Sequence, residues 1–485
     1  MMLTLLLLCP LAGMLLVLVS PRAAVRSIRA IALLSTGAAF VVSLGLLAAF
    51  HPHAAGMQFV ERLPWIPPLN VFYSLGIDGI SLPLVILTTL LSLLACLASF
   101  SIAERHKEYF VLYLLLEAGM LGTFVSLDLF LFYIFWEVVL VPMYFLIGIW
   151  GGGRREYSAF KFFVYTLAGS LAMLLAILAL YARTRTFDML ALAQMSHTFE
   201  LGFQQLLFLG FFLGFAVKVP VFPFHTWLPD AHVDAPTPGS VLLAGVLLKM
   251  GGYGFFRIAY PIAPAAAQWA GWGMAALGMV NIVYGAFVAM AQTDFKRLVA
   301  YSSVSHMGFV LLGLASLTPA GLNGAMFQMV SHGLVTGAMF LLVGVLYDRT
   351  HTRDLNTFGG LGARVPVYAG FLTFFSLASL GLPGLSGFVA EFLSLVGGFD
   401  VWRWQTVVSV LGIVVAAAYM LKVVRQILLG PLNEKWRALA DMSPREILSL
   451  TPLLLLVLAL GVYPLGLIAL QDPALMRLLL HVTGR

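Results

Sequence analysis

Runs of about twenty apolar residues recur from one end of this 485-residue sequence to the other. Each run, wound as a helix, is long enough to cross a bilayer core of about 30 Å. The chain is 61% hydrophobic and only 10% charged, where a soluble domain carries roughly a quarter charged residues. Water cannot solvate most of its surface. The fold class expected is an all-α polytopic membrane protein.

Hydropathy places about fourteen spans, near residues 2–20, 30–50, 79–101, 109–126, 129–150, 158–181, 205–222, 240–260, 271–291, 297–316, 322–347, 365–383, 404–428 and 448–469. The twelfth resumes after a break as a half-helix reaching about residue 396. The apolar N-terminus has no basic region ahead of it and reads as a retained span, not a signal peptide. Both cysteines, Cys9 and Cys96, fall in apolar spans, which suggests neither a disulfide framework nor a metal site. Three regions follow: residues 1–108 with three spans and an outer loop, a core over 109–430, and a last loop and span over 431–485.

Basic residues favour one set of loops. Arg22, Arg26, Arg29, Arg105, Lys107, Arg154, Arg155, Lys296, Arg297, Arg349, Arg353, Lys435, Arg437 and Arg445 follow odd-numbered spans. The even loops are poorer, with Arg62, Arg183, Arg185 and Arg403. The positive-inside rule then puts the odd loops in the cytoplasm and both termini outside. The net charge of +6 is a topology signal, not a sign of nucleic-acid binding.

No glycine-rich nucleotide loop, cysteine cluster or haem-type histidine pair is visible, so no cofactor is expected on this chain. "GGGRRE" (Gly151 to Glu156) reads as a flexible basic turn. The chemistry is expected from ionisable side chains in the membrane, each costing about 2.5–3.5 kcal/mol at mid-span. Glu137 shares a helix face with Tyr133 and Tyr144. Its alternative is a structural carboxylate tying two helices together. Lys218 continues a stripe with Gly210 and Gly214, and Pro220 and Pro223 break the helix just beyond, leaving carbonyls free to line a polar cavity. Lys249 sits too deep in its span to snorkel to the interface. His306 carries Ser302 and Ser303 on its face, and His332 lies between Gln328 and Thr336. A lone buried histidine is usually a core residue, whereas two on consecutive spans with polar neighbours suggest a proton relay. Glu391 follows the Gly/Pro-rich "GLPGLSG", a second broken helix five spans after the first. An odd offset reverses orientation, so the two halves form candidate inverted repeats. Glu117 reads equally as a second functional carboxylate or a structural one. Asp128 reads as a helix cap. Asp230, His232 and Asp234 alternate like metal ligands, but their proline-rich loop and the lack of a further ligand cluster weigh against a metal.

Four stretches, "FWEVVLVPMYFLIGIWGG", "FAVKVPVFPFHTWLPDAHVDAPTPGSVLLAGVLLKMGGYG", "DFKRLVAYSSVSHMG" and "GLPGLSGFVAEF", closely resemble the antiporter-like membrane subunits of respiratory complex I, the proton-pumping NADH:quinone oxidoreductase. The resemblance spans nearly the whole chain. It is nearest the chain M, or subunit 4, type, because Glu391 stands where the L and N types usually carry lysine. It implies fourteen helices with inverted repeats over spans 4–8 and 9–13, broken in spans 7 and 12. It implies a Lys218–Glu137 pair, a central Lys249, and a hydrated link through His306 and His332 to Glu391. It implies that NADH, FMN, iron–sulfur clusters and quinone belong to other subunits, and that the partners are neighbouring membrane chains and lipid. Three alternatives stay open: a multisubunit sodium/proton antiporter or hydrogenase-linked pump, a non-pumping scaffold, and a quinone-binding role for "PFHTWLPDAH".

Overall fold

The computed structural model describes residues 1–54 and 56–484. Fourteen of its helices are long and apolar enough to cross a membrane. Most coincide with the spans read from the sequence. The twelfth is indeed broken, into Pro366–Ser379 and Ser386–Val401, and neither piece is long enough to count among the fourteen. The place is taken by Leu465–Thr483, a helix that follows the last expected span, Pro444–Val462.

That C-terminal helix lies flat. Its successive turns touch Gly79, Asn323, Ala54, Pro261 and Gln268, which all stand in or beside loops on one face of the bundle. A helix crossing the bilayer would meet both faces. The loop between the second and third spans shares this face and folds as an antiparallel hairpin, β1 (Gln58–Ile66) and β2 (Val71–Ile77). Glu61 of β1 holds the first helix by accepting from the N–H of Leu3 (2.8 Å) and Thr4 (3.2 Å). Both ends of the described chain therefore sit on the hairpin face.

The inverted repeat is visible in one recurring joint. Asp128 caps the fifth span and forms an isolated antiparallel bridge with Asp188, itself a cap. Asp294 caps the tenth span and bridges Asp354, another cap, at the same sequence separation. Each carboxylate satisfies N–H groups a helix start leaves open. The first joint adjoins β2 through the Leu75–Ser126 bridge, and the second lies five spans later on the opposite face. The repeats over spans 4–8 and 9–13 are thus inverted.

The eighth, tenth and eleventh spans, Thr237–Ile262, Phe295–Ser316 and Pro319–Thr350, are almost wholly buried. Gly278 of the ninth span and Gly308 of the tenth meet backbone to backbone. A Cβ on Gly308 would come within 2.7 Å of the Gly278 carbonyl. This buried centre carries the ionisable residues.

Candidate functional site

The eighth span, Thr237–Ile262, is not a uniform α-helix. Two π-helical stretches, Leu243–Leu247 and Phe255–Ala259, flank the short α segment that holds Lys249. A π turn shifts hydrogen bonding by one residue and leaves carbonyls available to side chains. Fully buried Lys249 uses one of them, donating from Nζ to the carbonyl of Ala244. The same ammonium stands 2.6 Å from Nδ1 of His332.

From His332 the row continues across the tenth and eleventh spans. Its ring centroid is 5.7 Å from that of His306. Nδ1 of His306 meets Oε1 of Glu391 at 3.0 Å, and its Nε2 faces the Ser379 hydroxyl at 3.3 Å. One polar cavity joins the two rings, lined by His306, Gln328, His332, Thr336, Ser379 and Glu391. The polar stripe read on the eleventh span faces this space. Glu391 sits just past the break in the twelfth span, where Gly381 adopts φ +80° and a Cβ would lie 2.9 Å from Oε2 of Glu391. Glycine there permits both the turn and the carboxylate's approach. Tyr419 of the thirteenth span borders the same carboxylate. Four of the six expected residues thus form one row, Lys249, His332, His306 and Glu391.

Lys218 and Glu137 form a second, looser group. Lys218 ends its helix, and its buried Nζ has no hydrogen-bond partner among the described residues. The ammonium lies over the rings of Trp136 (5.4 Å) and Phe162 (5.6 Å), a cation–π setting. Oε1 of neighbouring Glu137 is also unpartnered, so the two residues do not form a closed ion pair. The break beyond Lys218 differs from expectation in one respect. Two of its carbonyls are taken by side chains: Trp227 Nε1 donates to Val217 (2.9 Å), and Asn281 Nδ2 donates to Pro220 (3.1 Å). Asn281 Oδ1 in turn accepts from the Phe222 N–H at 2.8 Å. Polar side chains from adjoining elements stitch the interruption shut.

Other polar residues fall outside the row. Glu117 is fully buried with neither oxygen partnered, and borders Cys9, Cys96 and Tyr113. Asp230 accepts from Lys161 at 2.7 Å and lies 3.5 Å from Arg297. Asp234 accepts from the Ser158 hydroxyl at 2.5 Å, and His232 stacks on Phe340. These three side chains thus serve separate partners and do not converge on one point.

Some residues were missed in the sequence. Lys296 donates to the Ala235 carbonyl (2.5 Å) beneath a vestibule on the face opposite the hairpin, lined also by Asp234, Asp348 and Arg353. Arg257 forms a buried ion pair with Asp78 at 2.5 Å. Its spacing of two four-residue steps from Lys249 was the available signal.

A family model for the transmembrane chains of NADH:quinone oxidoreductases and Mrp antiporters matches residues 126–416, which include all six expected site residues. Subunit M of NADH-quinone oxidoreductase from Rhodobacter capsulatus is 49% identical over 454 residues, covering 91% of this chain and 88% of that one. The chain belongs to the subunit M family of NADH-quinone oxidoreductases. A chain in the structure of respiratory complex I from Thermus thermophilus matches at TM-score 0.91 and 32% identity, with both chains covered in full. A chain of the Mrp complex from Dietzia sp. DQ12-45-1b matches at TM-score 0.85 and 25% identity, but only 52% of that chain is covered.

Proposed function

We propose that this chain is a proton-translocating membrane subunit of an NADH:quinone oxidoreductase, a translocase whose electron transfer runs through other subunits. NADH, FMN, iron–sulfur clusters and quinone belong to those subunits. The observation that carries the proposal is the contiguous row Lys249–His332–His306–Glu391. Lys249 is within hydrogen-bond reach of one ring and Glu391 of the other, so each can exchange a proton with its histidine. The 5.7 Å between ring centroids is bridged by ring motion or a water in the shared cavity. Lys218 and Glu137 act beside the row as a second exchangeable pair, the charge of one favouring the charged form of the other.

The loops rich in arginine and lysine face the cytoplasm and the hairpin face is the outer one, in a bacterial inner membrane. Residues 109–430 form the translocating core, with 1–108 and 431–485 as flanking regions. The partners are neighbouring antiporter-like chains of the same complex, lipid, protons and internal water. The near-complete coverage of subunit M relatives favours this reading over a sodium/proton antiporter.

The test is the complex carrying Lys249→Ala, reconstituted in vesicles. Pumped protons per electron should fall while the complex still assembles. An unchanged ratio would leave a scaffold as the better description.

A further inference from the structure

Lys249, Tyr253 and Arg257 follow one another at four-residue steps along the eighth span, running from the buried row toward the hairpin face. If that column conducted, a proton on Lys249 would reach the outer side without passing His332, His306 or Glu391. We infer that Arg257 and Asp78 form a proton plug just beyond the Tyr253 hydroxyl, which closes the column and turns the proton sideways into the histidine row. The inference rests on the translocation reading above.

The chemistry of the three groups supports a dead end. Tyr253 carries the last exchangeable hydroxyl before the arginine, and it donates to the Phe124 carbonyl at 3.0 Å. The same hydroxyl accepts from Nε of Arg257 at 3.2 Å. A guanidinium has five donors and no acceptor and does not deprotonate in proteins, so it cannot relay a proton arriving from the tyrosine. Beyond it, NH2 of Arg257 meets Oδ1 of Asp78 at 2.5 Å. That oxygen also accepts from the backbone N–H of Ile80 (3.0 Å) and Ser81 (3.1 Å), which fixes the carboxylate on the outer side of the arginine.

The pair is neutral as a whole but oriented. Its positive end faces Tyr253, and a fixed positive end repels an incoming proton, as arginine does in selective pores. Burial makes the barrier effective, because Arg257 is 8% and Asp78 5% exposed. Over the column lies the C-terminal helix, with Leu470 and Gln471 against Gly79. The route through Glu391 has the opposite character, with exchangeable groups and a cavity along it.

The experiment uses the assembled complex in vesicles, with two readouts: passive decay of an imposed pH gradient without NADH, and protons pumped per electron. Asp78→Asn with Arg257→Gln removes both charges and keeps hydrogen-bonding groups in place. The expected result is a several-fold faster decay and a lower ratio, with electron transfer retained. Adding Tyr253→Phe to that double variant should reseal the membrane, which repair of mere loose packing would not do. Arg257→Lys keeps the ion pair and assembly but introduces an exchangeable proton, so it should leak measurably. A double variant as tight as wild type overturns the plug, and so does a leak that Tyr253→Phe does not reduce. If the double variant fails to assemble, a tight Arg257→Lys overturns it alone. Lys249→Ala in the same vesicles separates the two readings. If it leaves pumping unchanged, translocation through this row fails. If it lowers pumping while the double variant is tight, only the plug fails.

Discussion

The ammonium of Lys249 stands 2.6 Å from Nδ1 of His332 while donating to the Ala244 carbonyl five residues back. That double contact fixes the lysine in one rotamer and aims it at the ring. In the proposed path His332 therefore receives the proton that Lys249 gives up. His332→Ala should lower coupled turnover by roughly tenfold or more, since a positioned proton-transfer group contributes on the order of 10²–10⁴-fold. His332→Gln, which hydrogen-bonds without carrying a proton, should do no better. NADH-driven proton uptake into vesicles checks this, and wild-type rates in both variants would remove His332 from the path.

Lys218 yields a prediction of opposite sign for stability and function. A buried ammonium with no hydrogen-bond partner costs free energy, although the rings of Trp136 and Phe162 offset part of it. Lys218→Met keeps the length of the side chain and removes the charge. It should leave thermal stability unchanged or raise it by on the order of 1 kcal/mol, while pumping falls. Glu137→Ala should likewise lower turnover in an assembled complex. A strongly destabilised Lys218→Met would mean that the lysine has a structural partner supplied by the assembly.

Much of this was legible in the sequence because hydrocarbon is an unforgiving solvent. Apolar length set the spans, and the few charges that interrupt them marked Lys249 and Glu391 as functional candidates. Helical spacing also put Gln328, His332 and Thr336 on one face, and they line one cavity. Other features left no comparable trace. The meeting of His306 with Glu391 joins residues on different spans, so only the family resemblance pointed to it and no periodicity within either helix reports it. The π turns around Lys249 depend on how neighbouring helices pack against a glycine-rich segment. Leu465–Thr483 has the length and composition of a span, and only its contacts along one face show that it lies flat. The closure of the Lys218 break was hidden for the same reason, since Asn281 comes from the ninth span.

Topology gives a test that does not depend on proton chemistry. The hairpin, Arg183 and both described ends share one face, whereas the Gly151–Gly153 turn and Lys296 share the other. Single cysteines near Arg62 or Arg183 should react with a membrane-impermeant reagent added outside intact cells. One near Arg154 should react only after permeabilisation. The reverse pattern would invert the proposed direction of transport, leaving the fold as it is.

Glu391 provides the sharpest test of the row, because two conservative changes should behave differently. Its Oε1 meets His306 Nδ1 at 3.0 Å, and its position after the Gly381 break places it at the far end of the row from Lys249. Gln keeps the size and the hydrogen bond but has no proton to release. Asp keeps the acid on an arm one methylene shorter, and a water can restore contact with the histidine. Moving one charge through 100 mV costs about 2.3 kcal/mol, so in the proposed path the outlet carboxylate takes up and releases its proton in every cycle. Glu391→Gln should therefore reduce protons pumped per electron more than Glu391→Asp, with assembly intact in both. If Glu391→Gln pumped at the wild-type ratio in vesicles, the carboxylate would be a packing partner for His306, and the row would have to empty by another exit.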